Sequence, residues 1–465
     1  MSRRRSTALL AVSCATAVVI GSGPAGPASG APSGSALRGA TLGSASSCPK
    51  AGGATVAEAA TPDAAVKVFG HGWGHGMGMS QYGAQGAARL GCGYRTILAT
   101  YYQGSSVVTK ALTASVLLKL APAAGRSSLT AEKTAVTWSN GFRTAIQPAG
   151  STWTVARRTM GGILGLSVLD EDGTSRLFVA NTGLLKAKHT AGTVTVHPTG
   201  TTSGLRTHWG TAHFVGSRTG IAVTQVIGSG TAGTAVQKYL MGLGEVPVSW
   251  PAEALKAQVV AARTYLNSKY SADTSVYTLT TTTSDQVYRG YDQQEKDAAL
   301  GGAWKRAVDA TKGQVIVDSA GHVIEAMYSS STGGYTENRQ YVYGHYGISY
   351  LKAVDDSRWD NASDNPYRRW SKGFSKAELA KRFGFDSVSA WTVAKRGSLA
   401  RLSGVRITGK REGKTVTVAF TGTDARGRLG VRSPGFTFGP VPTPTPKPTP
   451  TPKPTPTPVV PTIAP

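Results

Sequence analysis

Glu245 stands in a tight Gly/Pro segment, Leu243-Gly244-Glu245-Val246-Pro247, shortly before Trp250 and Pro251. A carboxyl held against apolar surface is desolvated, and its pKa rises because the charged form is disfavoured. Such a group serves as a general acid near neutral pH, which cleavage of a glycosidic bond requires. The alternative is an exposed turn glutamate, and chemistry alone leaves both open. His71 and His75 are four residues apart. That spacing binds a metal only when a helix aligns the two rings. Gly72, Gly74 and Gly76 argue against a helix, so no metal is expected and His75 is read as facing a cleft. Ser329, Ser330 and Ser331 suggest a nucleophile, but no Gly-x-Ser-x-Gly elbow surrounds them. A ligand-binding or structural loop is expected instead.

These residues need elements to hold them. A helix is expected from Pro251, where proline suits the first helical position and Glu253 complements the positive N-terminus. Leu255, Val259, Ala262 and Leu266 recur on one face of it. Arg263 on this helix either meets an acidic group of the ligand or is an exposed charge. A second helix is expected over Glu295–Lys312, ending at Gly313. Gln314–Asp318 and Val323–Tyr328, around Ala320-Gly321, read as a hairpin. Residues 106–235 are rich in Thr, Val and Gly, with turn dipeptides Asn140-Gly141 and Asp172-Gly173. They read as short strands, either inserted in a mixed core at 236–436 or packed against it. The expected fold class is α+β, with helices and an antiparallel sheet in the core.

The ends carry an address. Arg3–Arg5, the apolar stretch Ala8–Ile20 and the small residues after it read as a secretory signal over 1–31. Residues 32–65 read as a flexible leader. Residues 437–465 read as a Pro/Thr/Lys-rich tail, with 12 of the chain's 24 prolines from Pro440 on. Such repeats favour extended polyproline II and cannot pack a core. Lys plus Arg outnumber Asp plus Glu by 50 to 25, a net charge of +25. A basic surface seeks polyanions. For an exported protein the partners are anionic wall polymers, not nucleic acid. With the signal removed, Cys48 and Cys92 remain, and in an oxidising compartment either pair or stay free.

Four segments in order carry a resemblance. They are Tyr239–Pro247 with the helix that follows, Ser284-Asp285-Gln286-Val287-Tyr288-Arg289-Gly290, Tyr328–Glu337, and Tyr341-Val342-Tyr343-Gly344 with Tyr350–Val354. Together they resemble the SpoIID/LytB-type domain of peptidoglycan lytic transglycosylases and amidase enhancers. A fifth segment, Gly72-Trp73-Gly74-His75-Gly76-Met77-Gly78-Met79-Ser80-Gln81-Tyr82-Gly83-Ala84, looks like the signature that usually closes this domain. Here it precedes the rest, so residues 66–105 are expected to fold back onto the core beside Glu245.

The resemblance implies a lytic transglycosylase in which Glu245 is the catalytic acid and base. It also implies a second role, that of a non-catalytic wall protein that assists an amidase. His75, Ser80, Gln81, Arg263, Ser330, Ser331 and Glu337 become candidates for contact with the glycan, Glu337 also as a second acid. Two departures are visible. Val246 stands where the family usually has Met, and the spacing from the Tyr-x-x-Gly element to Glu245 is about two residues shorter than usual. Asn267–Asp285 lacks the His and Cys that hold zinc in some members, so no zinc and no cofactor are expected.

Overall fold

Pro251 caps the helix Ala252–Asn267, and Glu253 sits in its first turn. Leu255, Val259, Ala262 and Leu266 are fully buried in one core, with Tyr239, Leu240, Tyr288 and Trp304. The opposite face is also covered: Ala257, Val260 and Ala261 pack in a second core. Small residues there let two further helices, Gln81–Arg89 and Tyr94–Tyr101, approach closely. The computed structural model describes Cys48 and residues 66–112, 114–120, 125–180, 183–198, 204–217, 220–228, 234–274, 276–343, 348–397 and 401–439. The expected signal, the leader apart from Cys48, and the tail beyond residue 439 lie outside these. No described helix is long and apolar enough to cross a membrane.

The Thr/Val-rich stretch alternates buried and exposed positions, as strands with one wet face do. Ile221–Ile227 is the clearest case. An eight-stranded sheet runs in the order 270–271, 276–280, 115–119, 221–227, 211–216, 184–188, 136–139, 144–147. A six-stranded antiparallel sheet runs 175–180, 163–169, 152–160, 126–131, 194–197, 205–207. Trp138 and Phe214 of the first meet Trp153, Leu166 and Val168 of the second in a shared core. Val276–Thr280 pairs in parallel with Ser115–Lys119. The β-rich region and the helical core are therefore joined by one continuous sheet across residue 235.

Two local expectations give way to longer-range structure. The expected single helix over 295–312 is two helices, Tyr291–Ala299 and Ala303–Ala310. Gly301 and Gly302 between them have φ of +89° and +70°, a left-handed conformation that glycine tolerates and a helix does not. The expected hairpin is not the main pairing either. Gln314–Val317 takes Ser106–Thr109 as its antiparallel partner, and Tyr328–Ser329 pairs in parallel with Met79–Ser80. Only an isolated bridge, Val317 to Val323, joins the two expected arms.

The C-terminal part adds a three-stranded sheet, Ser387–Arg396, Leu402–Arg411 and Lys414–Thr421, packed on helices Lys376–Phe383 and Gly422–Leu429. Val66–Gly70 lies between Trp370–Phe374 and Phe436–Gly439. Cys48 and Cys92 are joined by a disulfide with Cα atoms 4.7 Å apart. Ser375 starts the helix Lys376–Phe383 with a reciprocal capping box to Glu378. Ser375→Ala leaves helix N–H groups without a partner and is expected to cost about 1 kcal/mol. A lowered urea midpoint reads that loss.

Candidate functional site

The segment before the central helix is zipped to the loop at 284–290. Gly244 N–H donates to the Val287 carbonyl at 2.9 Å, and Arg289 N–H donates to the Gly242 carbonyl at 2.8 Å. The rings of Tyr239 and Tyr288 stack beneath, 5.4 Å between centroids. This clamp holds Glu245 on the wall of a cleft of about 620 Å³, within the usual range for ligand sites. The carboxylate accepts from Val287 N–H at 2.5 Å and from Gln81 Nε2 at 3.3 Å. Burial pushes its pKa above the ordinary value, and hydrogen bonds from Val287, Gln81 and Tyr328 only partly oppose this. The structure therefore places at Glu245 the desolvated acid that the sequence left undecided.

Gln286 is fully buried behind the acid and orients its surroundings. It accepts from Tyr239 Oη at 2.6 Å and donates to Tyr328 Oη at 2.8 Å. Burial first, then the charge of Glu245, holds the Tyr328 phenol well above its usual range, so it stays a neutral donor beside the acid. A second carboxylate, Asp285, also lines the cleft. Burial works to raise its pKa, but Thr280 N–H, at 2.8 Å, and Lys269, at 3.1 Å, outweigh that and hold it below the usual range. The cleft thus holds one carboxyl biased toward its acid form and one biased toward its anion.

The Gly/His segment forms the facing wall. Gly74 has φ of +110°, and a side chain there would meet Ser329 Cβ at 2.7 Å. That close approach seats His75 against the backbone of Tyr328. His75 Nδ1 accepts from Met77 N–H at 3.0 Å. Burial, then the nearby charges of Arg401 and Arg426, lower its pKa to about 4. The ring is neutral across the physiological range. Trp73, Tyr367, Tyr82 and Trp250 continue this wall as an aromatic series, with successive centroids 4.5, 6.0 and 5.1 Å apart.

His75, Gln81 and Ser330 line the cleft with Glu245, whereas Ser80, Ser331, Arg263 and Glu337 do not. Ser80 caps the helix Gln81–Arg89 by accepting from Gly83 N–H at 3.1 Å. Ser331 Oγ accepts from Asn365 and from Gly333 N–H, at 2.7 and 3.1 Å. Arg263 is neither exposed nor in the cleft. It is 1% exposed and donates to Gln237 and to the Gln314 carbonyl, each at 3.1 Å. Glu337 is 1% exposed and accepts from Asn338 N–H at 2.8 Å. It does not line the cleft, whereas Asp285 is a second carboxylate that does. Ser329 lines the cleft, with a buried hydroxyl that has no partner. Asp285, Tyr328 and the aromatic wall were not singled out as site residues from the sequence, and Ser329 was read only as part of a ligand-binding or structural loop. Asp285 and Tyr328 lay inside recognised segments; the wall is assembled from three distant ones, Trp73 and Tyr82 in one, Trp250 and Tyr367 in the others.

Residues 231–317 match the family model described as Stage II sporulation protein, SpoIID. The chain carries a SpoIID family domain. It is 38% identical over 164 residues to the amidase enhancer of Bacillus subtilis, covering 35% of this chain and 20% of that protein. It is 30% identical over 219 residues to the stage II sporulation protein D of Bacillus subtilis, covering 43% of this chain and 59% of that one. The matches thus span less than two thirds of either relative. No solved structure matches.

Proposed function

We propose that this protein is an exported, wall-associated lytic transglycosylase that cuts peptidoglycan glycan strands with Glu245 as its single acid and base. The observation that carries this is the desolvated carboxyl of Glu245 in a cleft walled by aromatic rings. Glu245 gives its proton to the glycosidic oxygen, and the bond from that oxygen to C1 of the muramic sugar breaks. The 6-hydroxyl oxygen of the same sugar then bonds to C1, and its proton returns to Glu245. No water is consumed, and the product ends in a 1,6-anhydro ring. Asp285, held as an anion by Lys269 and Thr280, lines the same cleft as a fixed polar group. Aromatic rings such as Trp250 and Tyr82 offer flat apolar faces to the sugars. A chain of net charge +25 suits a wall rich in anionic polymers.

A second reading is a non-catalytic protein that assists a wall amidase. It is favoured by the 38% identity to the amidase enhancer and by Val246 beside Glu245. Mass spectrometry of purified strands, peptide-bearing and stripped, separates the two. Anhydro-ended products from the wild type but not from Glu245→Gln are expected. Hydrated reducing ends would keep the substrate and replace the mechanism. Strand binding without cleavage would move the assignment to the amidase-assisting role.

A further inference from the structure

Arg426 lines the same cleft as Glu245 but comes from the helix Gly422–Leu429, more than a hundred residues beyond the SpoIID match. Burial lowers its pKa, and only Tyr343 opposes this. Among the described residues its guanidinium makes no hydrogen bond and no ion pair, in contrast to Arg428 on the same helix, which donates to the Arg382 carbonyl at 3.2 Å. A half-buried guanidinium with no anion is costly unless a ligand completes it. The other charges around Tyr343 are already matched. Lys269 pairs with Asp285 at 3.1 Å, and Arg339 with Glu325 at 3.9 Å. This leaves Arg426 as the one uncompensated cation of that group.

Arg426 acts on His75 and Tyr343, whereas no charge is among the groups that shift Glu245. The cation and the acid line one cleft, so a single ligand in it can meet both. A guanidinium matches a carboxylate with two parallel N–H bonds. Tyr343, partly exposed, lines the cleft with it as a second donor.

We propose that Arg426 is a specificity-determining residue that binds a carboxylate carried by the glycan strand while Glu245 addresses its glycosidic bond. The proposal rests on the glycan reading of the cleft. Two sources offer that chemistry: the lactyl carboxylate of muramic acid on a stripped strand, and the acidic groups of a stem peptide.

The test is binding by calorimetry, with full-length Glu245→Gln to prevent turnover. The probes are chitotetraose, which has no carboxylate, a stripped muramyl tetrasaccharide, and the same tetrasaccharide bearing stem peptides. A carboxylate-bearing probe is expected to bind roughly tenfold or more tightly than chitotetraose, as one charge-assisted contact provides. Adding Arg426→Gln brings that ratio to near one, and Arg426→Lys restores part of it. Preference for the stripped probe identifies the lactyl source, and preference for the peptide-bearing probe identifies the stem. A ratio unchanged by Arg426→Gln, in a variant with an unchanged thermal midpoint, overturns the assignment. Failure of all three probes to bind overturns the glycan reading itself, and this assignment with it.

Discussion

In the proposed reaction, Glu245→Gln is expected to lower the rate of strand cleavage by about 10²–10⁴-fold, the usual contribution of a positioned general acid and base. The amide is nearly isosteric, and its oxygen still accepts from Val287 N–H, so the clamp between 242–247 and 286–289 stays closed. What is lost is the transferable proton. The pH dependence carries the same signature. The first step needs protonated Glu245, and burial raises the pKa of this group above the ordinary carboxyl value. The wild-type kcat/KM therefore falls as pH rises through that raised pKa, and the residual rate of the variant lacks this limb. His75, lowered to about 4, is neutral near and above neutrality and adds no step there. Initial rates of anhydro-product formation from pH 4 to 9, for both proteins, check the claim. A variant retaining wild-type rate would remove Glu245 from the chemistry.

The central helix was legible because its buried stripe, Leu255 to Leu266, follows the 3.6-residue period. Its second buried face was not. Ala257 and Ala261 carry little hydrophobic signal, and they are buried because the helices at 81–101 arrive from far away in sequence. The Gly/His segment was expected to fold back beside Glu245, and Gln81 makes that contact directly. The strand errors have the same origin as the missed helix face. Gln314–Val317 has a good local hairpin partner, yet the pairing that forms uses Ser106–Thr109, some two hundred residues upstream. Local patterning carries no information about such a choice. Arg263 illustrates another limit. An arginine on a helix is usually solvated, and only the packed structure reveals Gln237 and the Gln314 carbonyl around it. Arg426 could not be singled out either, since nothing in its own segment distinguishes it from Arg428.

Raising the pH from about 4 to 7 is expected to remove the stability that Asp356 contributes to this protein. Its side chain is fully buried, and burial, then the charge of Asp360, push its pKa up to about 7. Hydrogen bonds from Tyr101 Oη, at 2.6 Å, and Thr332 Oγ1, at 3.0 Å, oppose the shift but do not cancel it. An unfolded aspartate titrates near 3.9, so between these values the native state holds a proton that the unfolded state has released. Stability is therefore complete below the unfolded pKa and is lost as pH rises through the folded one. At about 1.4 kcal/mol per pH unit, the full shift corresponds to roughly 4 kcal/mol. Asp356→Asn removes the titration. At pH 4 it costs about 1 kcal/mol, since one amide oxygen replaces two acceptors. Near pH 8 it no longer buries a charge, so the variant becomes the more stable of the two and the curves cross. Urea midpoints of both proteins at pH 4.5, 6 and 8 measure this directly, and parallel curves would assign the buried proton elsewhere. The consequence reaches the cleft, because Thr332 follows Ser329 and Ser330 in one loop and its hydroxyl is fixed by Asp356. Ionisation of Asp356 strengthens these hydrogen bonds but leaves a buried charge near Asp360, so the fold that carries this wall loses stability, and cleavage in Asp356→Asn is expected to persist to higher pH at elevated temperature than in the wild type.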